Sequence, residues 1–205
     1  MIQLKVQLVG IKNPAIWRNM IVPDRTTFFE LHCFIQCAFG LEDRHLFSFQ
    51  KYGTQLEIDL EINRDYDFSD AIANLIKKDA EKTLVLPYLY EYSSINYTYD
   101  FGDNWEFKIT LMKEDVANGG IFPQVVASKG ENIPEDCGGV GGLENLRELS
   151  KTPDSKEFKR LCEWNPSIGQ DFNKENVNQE LQDLYNKREG AILLPDHVYD
   201  FLDLV

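Results

Sequence analysis

The sequence predicts an α+β fold: a curved, mainly antiparallel sheet packed on one N-terminal helix, with a helical C-terminal part. Three stretches carry this reading. Ile2, Leu4, Val6 and Leu8 alternate with polar residues, the period of a half-buried strand. Phe28, Leu31, Ile35, Ala38 and Phe39 recur at helical spacing. Ile95, Tyr97, Tyr99 and Phe101, then Trp105, Phe107, Ile109 and Leu111, alternate on either side of Gly102-Asp103-Asn104. That is the pattern of a hairpin with one aromatic and one polar face, its register set by the period of two.

The elements follow in order. Asn13-Pro14 marks a turn after the first strand, and residues 16–22 form a second strand stopped by Pro23. Thr27 and Glu30 make a capping-box pair with Thr27 as N-cap, and Gly40 stands where a C-terminal cap belongs. The helix therefore runs from Thr27 to Phe39, with Cys33 and Cys37 on the face away from its apolar stripe. Residues 46–51 and 55–59 read as strands about a turn at Gly53, residues 71–78 as a short helix, and residues 83–86 as a further strand. Residues 118–142 hold seven glycines and two prolines and read as extended loop. Helices are expected at 143–150, at 154–163 ahead of Pro166, and at 173–187. The last has Asn173 as N-cap, Phe172 and Val177 at staple positions, and an inner face of Val177, Leu181, Leu184 and Tyr185. Residues 1–190 read as a single domain, sheet-rich over 1–113 and loop and helix over 114–190, and residues 191–205 as an apolar, acidic tail without a clear period.

Charge narrows the function. The 205 residues carry 21 Lys and Arg against 34 Asp and Glu, a net charge of -13. Residues 1–113 hold 12 basic and 16 acidic side chains, a net of -4, and the remainder hold 9 and 18, a net of -9. Binding nucleic acid or anionic membranes by bulk electrostatics needs clustered Lys and Arg, so both are disfavoured, most firmly for the C-terminal half. The N-terminus has no basic region followed by an apolar run, and no stretch approaches about 18 apolar residues, the length that spans a bilayer. Cys33, Cys37, Cys137 and Cys162 form no CxxC pair and read as reduced thiols of a cytoplasmic protein.

Several motifs in register resemble one family. Tyr97-x-Tyr99-Asp100-Phe101-Gly102-Asp103-x-Trp105-Glu106 is similar to the hallmark of the plasmid pRiA4b ORF-3-like family. Leu4-Lys5-Val6 with Ile16-Trp17-Arg18 resembles its first two strands. Leu31-His32-x-x-Ile35-Gln36-x-Ala38-Phe39-Gly40 with His45-Leu46-x-x-Phe49 resembles its helix and following strand. Pro134-Glu135-Asp136-Cys137-Gly138-Gly139 resembles its acidic glycine-rich motif, and Gly169-x-Asp171-Phe172 with Val177-Asn178 its closing helix. The resemblance runs from about residue 2 to 185. Phe107 stands where the family usually has His, and Gly141 where it usually has Trp. The resemblance implies a fold and a setting on plasmids and mobile elements. It implies no reaction, since the family's biochemical function is not established.

Some relatives carry a resolvase label, which the residues do not support. A serine recombinase needs a nucleophilic Ser near the N-terminus, but the first serine is Ser48. A tyrosine recombinase needs a His-x-x-Arg pair, and none of His32, His45 or His197 has Arg three residues on. Nor is there a cationic cluster to stabilise an anionic transition state at phosphate.

The acidic residues are the better candidates. Asp100 and Glu106 are expected on the polar hairpin face, Asp103 in its turn, and Glu135 and Asp136 in the later motif. Converging carboxylates suit divalent ions or, with split pKa values, acid-base work. Asp in a turn more commonly bonds its own backbone, and that structural reading is favoured. His32 and His45 read as core or capping histidines rather than zinc ligands, and Trp17-Arg18 as packing with a snorkelling edge. Gly138-Gly139-Val140-Gly141-Gly142 lacks the spacing and the Lys of a phosphate loop and reads as a tight structural loop. Tyr88, Tyr90, Tyr92, Tyr97 and Tyr99 read as sheet core or a protein-binding patch.

The resulting expectation is a non-catalytic binding or interaction module, without catalytic residues, metal or cofactor. Its ligand-binding candidates are Tyr99, Asp100, Asp103, Trp105, Glu106, Glu135 and Asp136, facing an unknown protein or small ligand. The alternatives are a divalent-metal-dependent hydrolase using the same carboxylates and an accessory DNA-binding protein.

Overall fold

A computed structural model describes residues 1–54, 56–59, 76–116 and 122–190. The strands are β1 Ile2–Leu8, β2 Trp17–Val22, β3 Phe47–Gln50, β4 Leu56–Asp59, β5 Ile76–Asp79, β6 Ser94–Tyr99, β7 Trp105–Lys113 and β8 Gln124–Lys129. The helices are α1 Phe28–Phe39, α2 Val85–Tyr92, α3 Gly139–Leu149, α4 Lys156–Trp164 and α5 Lys174–Gly190. The strands form one open sheet of order β5-β4-β3-β6-β7-β1-β2-β8, antiparallel throughout except for the parallel pair β4-β5. The fold is thus the mixed, mainly antiparallel α+β arrangement that the periodicities predict.

The period of two sorts the side chains. Ile2, Leu4, Val6 and Leu8 of β1, Ile95, Tyr97 and Tyr99 of β6, and Trp105, Phe107 and Ile109 of β7 are buried. Their alternate neighbours are half-buried or exposed. α1 contributes Phe28, Leu31, Phe34, Ile35, Ala38 and Phe39 to the same core. Its start has both halves of the capping box: Thr27 Oγ1 accepts from the Glu30 amide and Glu30 Oε2 from the Thr27 amide. Its end is a Schellman motif, with Gly40 at φ 73 and the Leu41 amide bonded to the Gln36 carbonyl.

α1 is buried on more than its apolar stripe. α5 lies against the other face, where Cys33 is buried and the Cys37 thiol points at the Val177 carbonyl. The cysteine face is therefore a helix-helix contact, and burial raises both thiol pKa values. α5 begins as expected, with Asn173 Oδ1 accepting from the Asn176 amide, and buries Val177 and Leu181.

Arg18 explains how the two parts of the chain are joined. It is fully buried and its guanidinium donates to the carbonyls of Ala38, Trp17, Lys129, Gly130 and Glu131. It lies between the rings of Phe39 and Phe172, 4.9 and 3.9 Å from their centroids. The expected snorkelling edge is instead a buried hub, because the loop after β8 and the entry to α5 close over it. Trp17 keeps the outer position, with Lys5 over its ring.

Four local expectations are corrected. Residues 83–86 are not a strand: Val85 opens α2, in which Val85 and Leu89, one turn apart, are buried. Pro87 sits in the first turn, where its missing N–H costs nothing. Ile76–Asp79 is strand rather than helix, while positions 71–75 of that expected helix, Gln55 of the expected strand and the tail 191–205 lie outside the described residues. The glycine-rich stretch is not all loop, because β8 runs within it and Gly139–Gly142 form the first turn of α3. β8 also brings residues from beyond 114 into the sheet, beside β2.

Candidate functional site

Three segments meet at the end of the β6-β7 hairpin: the loop 41–46 between α1 and β3, the turn 100–104, and the loop 134–138 before α3. The β3-β6 register, Phe47 opposite Tyr99, brings the first two together, and the Asp100 amide donates to the Leu46 carbonyl. The third is brought in by Asp103, whose Oδ2 accepts from the Gly138 amide at 3.0 Å. Glycine permits this approach. A Cβ on Gly139 would sit 2.3 Å from the Asp103 carbonyl oxygen, and one on Gly142 1.6 Å from that of Cys137.

Beneath the surface, Glu135 is the junction. Its Oε1 accepts from Tyr99 Oη at 2.7 Å and from the Glu42 amide at 2.7 Å. Tyr99 Oη in turn accepts from the Arg44 amide at 2.9 Å. Burial raises the Glu135 pKa above the ordinary carboxylate value, against the lowering effects of Tyr99, the Glu42 amide and His45. Burial and the Glu135 charge push the Tyr99 phenol up as well, and burial carries the Cys137 thiol up to about 12. Deeper still, His32 bridges Tyr97 Oη and Asp43 Oδ1, each at 2.7 Å, and stacks on Phe47. It is a core histidine, as its place on the apolar edge of α1 predicts.

At the rim, His45 Nε2 lies 3.2 Å from Asp136 Oδ1 and 3.7 Å from Asp100 Oδ2. Asp100 adopts φ 53 and its Oδ1 accepts from the Gly102 amide, an Asx turn that fixes the carboxylate. The Asp100 side chain is 10% exposed, His45 32% and Asp136 50%. Next to Asp100, Phe101 stands 54% exposed on the same turn.

The seven sequence candidates therefore divide. Asp100 and Asp136 converge at the rim. Asp103 and Glu135 join loops. Asp100 is not on the exposed hairpin face with Glu106, because its left-handed backbone turns the side chain inward. Glu106 is on that face, where it accepts from Tyr52 Oη at 2.8 Å. Tyr99 and Trp105 are fully buried in the core and present no surface to a ligand, because the pleat points both at α1. Trp105 Nε1 is shielded and has no hydrogen-bond partner among the described residues. His45 completes the rim group and was not grouped with these aspartates by sequence reasoning. Only the pairing of β3 with β6 places it there, and that pairing spans about fifty residues of chain.

Among the described residues, no helix is long and apolar enough to cross a membrane. The family model for plasmid pRiA4b ORF-3-like proteins matches residues 1–181. The chain is 27% identical over 180 residues to "Uncharacterized protein y4hQ" of Sinorhizobium fredii (strain NBRC 101917 / NGR234), covering 87% of each. It is also similar to the crystal structure of the protein of unknown function MM3350 from Methanosarcina mazei Go1. That likeness has a TM-score of 0.66 and 31% identity, over 84% of this chain and 91% of that one. The motifs, the fold and the match over residues 1–181 together make the chain a member of the plasmid pRiA4b ORF-3-like family.

Proposed function

We propose that the chain is a non-catalytic binding module whose recognition surface is the rim formed by His45, Asp100, Phe101 and Asp136. One observation carries this reading. The inner carboxylates, Glu135 and Asp103, are committed to holding loops together. The groups left facing outward are an imidazole, a carboxylate and an exposed aromatic ring. An exposed aromatic beside polar groups is a common anchor in recognition surfaces. The same commitment withholds Glu135 and Asp103 from acid-base work on a bound molecule. The acidic balance gives an accessory DNA-binding role no electrostatic footing.

The surface is tested with Phe101→Ser, which leaves the core and the rim carboxylates in place. Wild type and variant immobilised at equal density should recover different partners from the source cell's extract. Identical recoveries would remove this surface from consideration.

A further inference from the structure

We propose that His45, Asp100 and Asp136 form a binding site for a divalent transition-metal ion of the zinc class. The inference rests on the same rim being the recognition surface, and it names the ion that surface holds.

The first support is geometric. One donor atom from each residue lies within 4.8 Å of the others. Ligands about 2.0–2.1 Å from a tetrahedral zinc ion stand about 3.3 Å apart. His45 Nε2 is 3.2 Å from Asp136 Oδ1 and 3.7 Å from Asp100 Oδ2, on either side of that value. Asp136 is half-exposed, which leaves its side chain room to turn toward the other two.

The second support is the state of these atoms. His45 Nε2 is shielded from solvent and makes no hydrogen bond among the described residues. An imidazole nitrogen placed between two carboxylate oxygens, at 3.2 and 3.7 Å, is a set of donor types that can ligate one ion. Asp100 is nine-tenths buried, and its Oδ1 is occupied by the Gly102 amide while Oδ2 faces His45. That is the outer hydrogen bond which orients a ligating carboxylate. Behind the rim, Glu135 Oε2 is buried and has no hydrogen bond among the described residues, which leaves a carboxylate oxygen uncompensated there. A cation at the rim would offset that charge too.

The donor chemistry selects the ion. Magnesium and calcium take oxygen ligands and more of them. An imidazole with two carboxylates suits zinc, cobalt or nickel. Two aspartates and a neutral imidazole balance a dication. Three protein ligands leave a fourth position for water or for a donor atom of the bound molecule. The ligands come from the α1-β3 loop, the β6-β7 turn and the loop before α3. An ion held by all three ties these loops together and stabilises the fold by mass action.

The test uses the full chain freed of metal by chelator. Cobalt should give visible d-d absorption of tetrahedral intensity at one equivalent. Zinc should displace it and raise the melting temperature. His45→Gln and Asp136→Asn are surface changes that leave the hairpin folded. Each should weaken zinc binding, read by competition with a chromophoric chelator, by at least tenfold. Absence of saturable binding, or binding unchanged in both variants, would overturn the proposal. Because Phe101→Ser leaves all three ligands intact, loss of metal binding and loss of partner recognition are separable. Differential recovery without metal binding sinks only the ion, and metal binding with identical recoveries sinks only the recognition surface.

Discussion

Tyr99 donates its phenolic proton to Glu135 Oε1 at 2.7 Å across 36 positions of chain. This contact joins the last residue of β6 to the acidic glycine-rich loop. The Glu42 and Arg44 amides complete it from the α1-β3 loop. Two donors therefore meet at one carboxylate oxygen, and the Tyr99 hydroxyl passes the network on to the Arg44 amide. Tyr99→Phe leaves the Arg44 amide without its acceptor and Glu135 without one donor. It should cost about 1–3 kcal/mol of unfolding free energy, measured by denaturant titration.

The same carboxyl makes stability pH-dependent. Burial raises the folded pKa of Glu135 above its unfolded value. A raised carboxyl favours the protonated form in the folded state. Its stabilising contribution is complete below the ordinary carboxylate range and is lost as pH rises through the folded pKa. Glu135→Gln imitates the protonated form and keeps an oxygen acceptor for Tyr99 and Glu42. Its denaturation midpoint should exceed that of wild type at pH 8 and equal it near pH 4. A difference that stays constant across this range would contradict the assignment.

Arg18 tests the junction between sheet and C-terminal helices. Burial lowers its pKa to about 10, partly opposed by Glu131, so it remains charged at neutral pH. Lysine cannot reproduce the planar fork that reaches Ala38, Lys129 and Glu131. Arg18→Lys should cost about 2 kcal/mol, and Arg18→Met, which leaves those carbonyls unpaired, about 3 kcal/mol. Equal stability of all three proteins in urea would show that the hub contributes nothing.

Two glycines of the same helical turn should respond oppositely. Gly139 has φ 65 and faces the Asp103 carbonyl at 2.3 Å from an added Cβ, whereas nothing lies within 4 Å of one on Gly141. Gly139→Ala should destabilise by about 2 kcal/mol or more. Gly141→Ala, inside α3, should be neutral or stabilise by up to about 1 kcal/mol. Thermal melts of the two variants decide the matter.

Asn178 protects the β8 edge. Its Oδ1 accepts from the Val125 amide at 2.7 Å and its Nδ2 donates to the Val125 carbonyl at 3.1 Å. Unpaired edges are templates for association. Asn178→Ala should speed hydrogen exchange at Val125 and lower stability by about 1–2 kcal/mol. Unchanged exchange at that amide would show that α5 shields it by coverage alone.

Much of the fold was legible because it is local. The alternation of β1, β6 and β7 and the capping box of α1 are written within single elements, and those elements form as read. The errors have local causes of a different kind. Residues 83–86 were short, apolar and without period, so strand and helix could not be told apart there. β8 was hidden among glycines. Gly139–Gly142 resembled a loop because glycine is poor in helices, yet close approach to Asp103 and Cys137 requires it.

The sequence by itself determined the class of fold, the family and the acidic, weakly basic character that argues against nucleic acid. It also singled out Asp100 and Asp136. Only the tertiary structure decided which carboxylates are internal joints and which converge at the rim, and that His45 stands with the latter. The reason is physical. Side-chain periodicity reports burial one element at a time, whereas a site is assembled by strand register and loop contacts between segments far apart in the chain. The Phe47-Tyr99 register and the Asp103-Gly138 hydrogen bond make that assembly, and no local pattern encodes either.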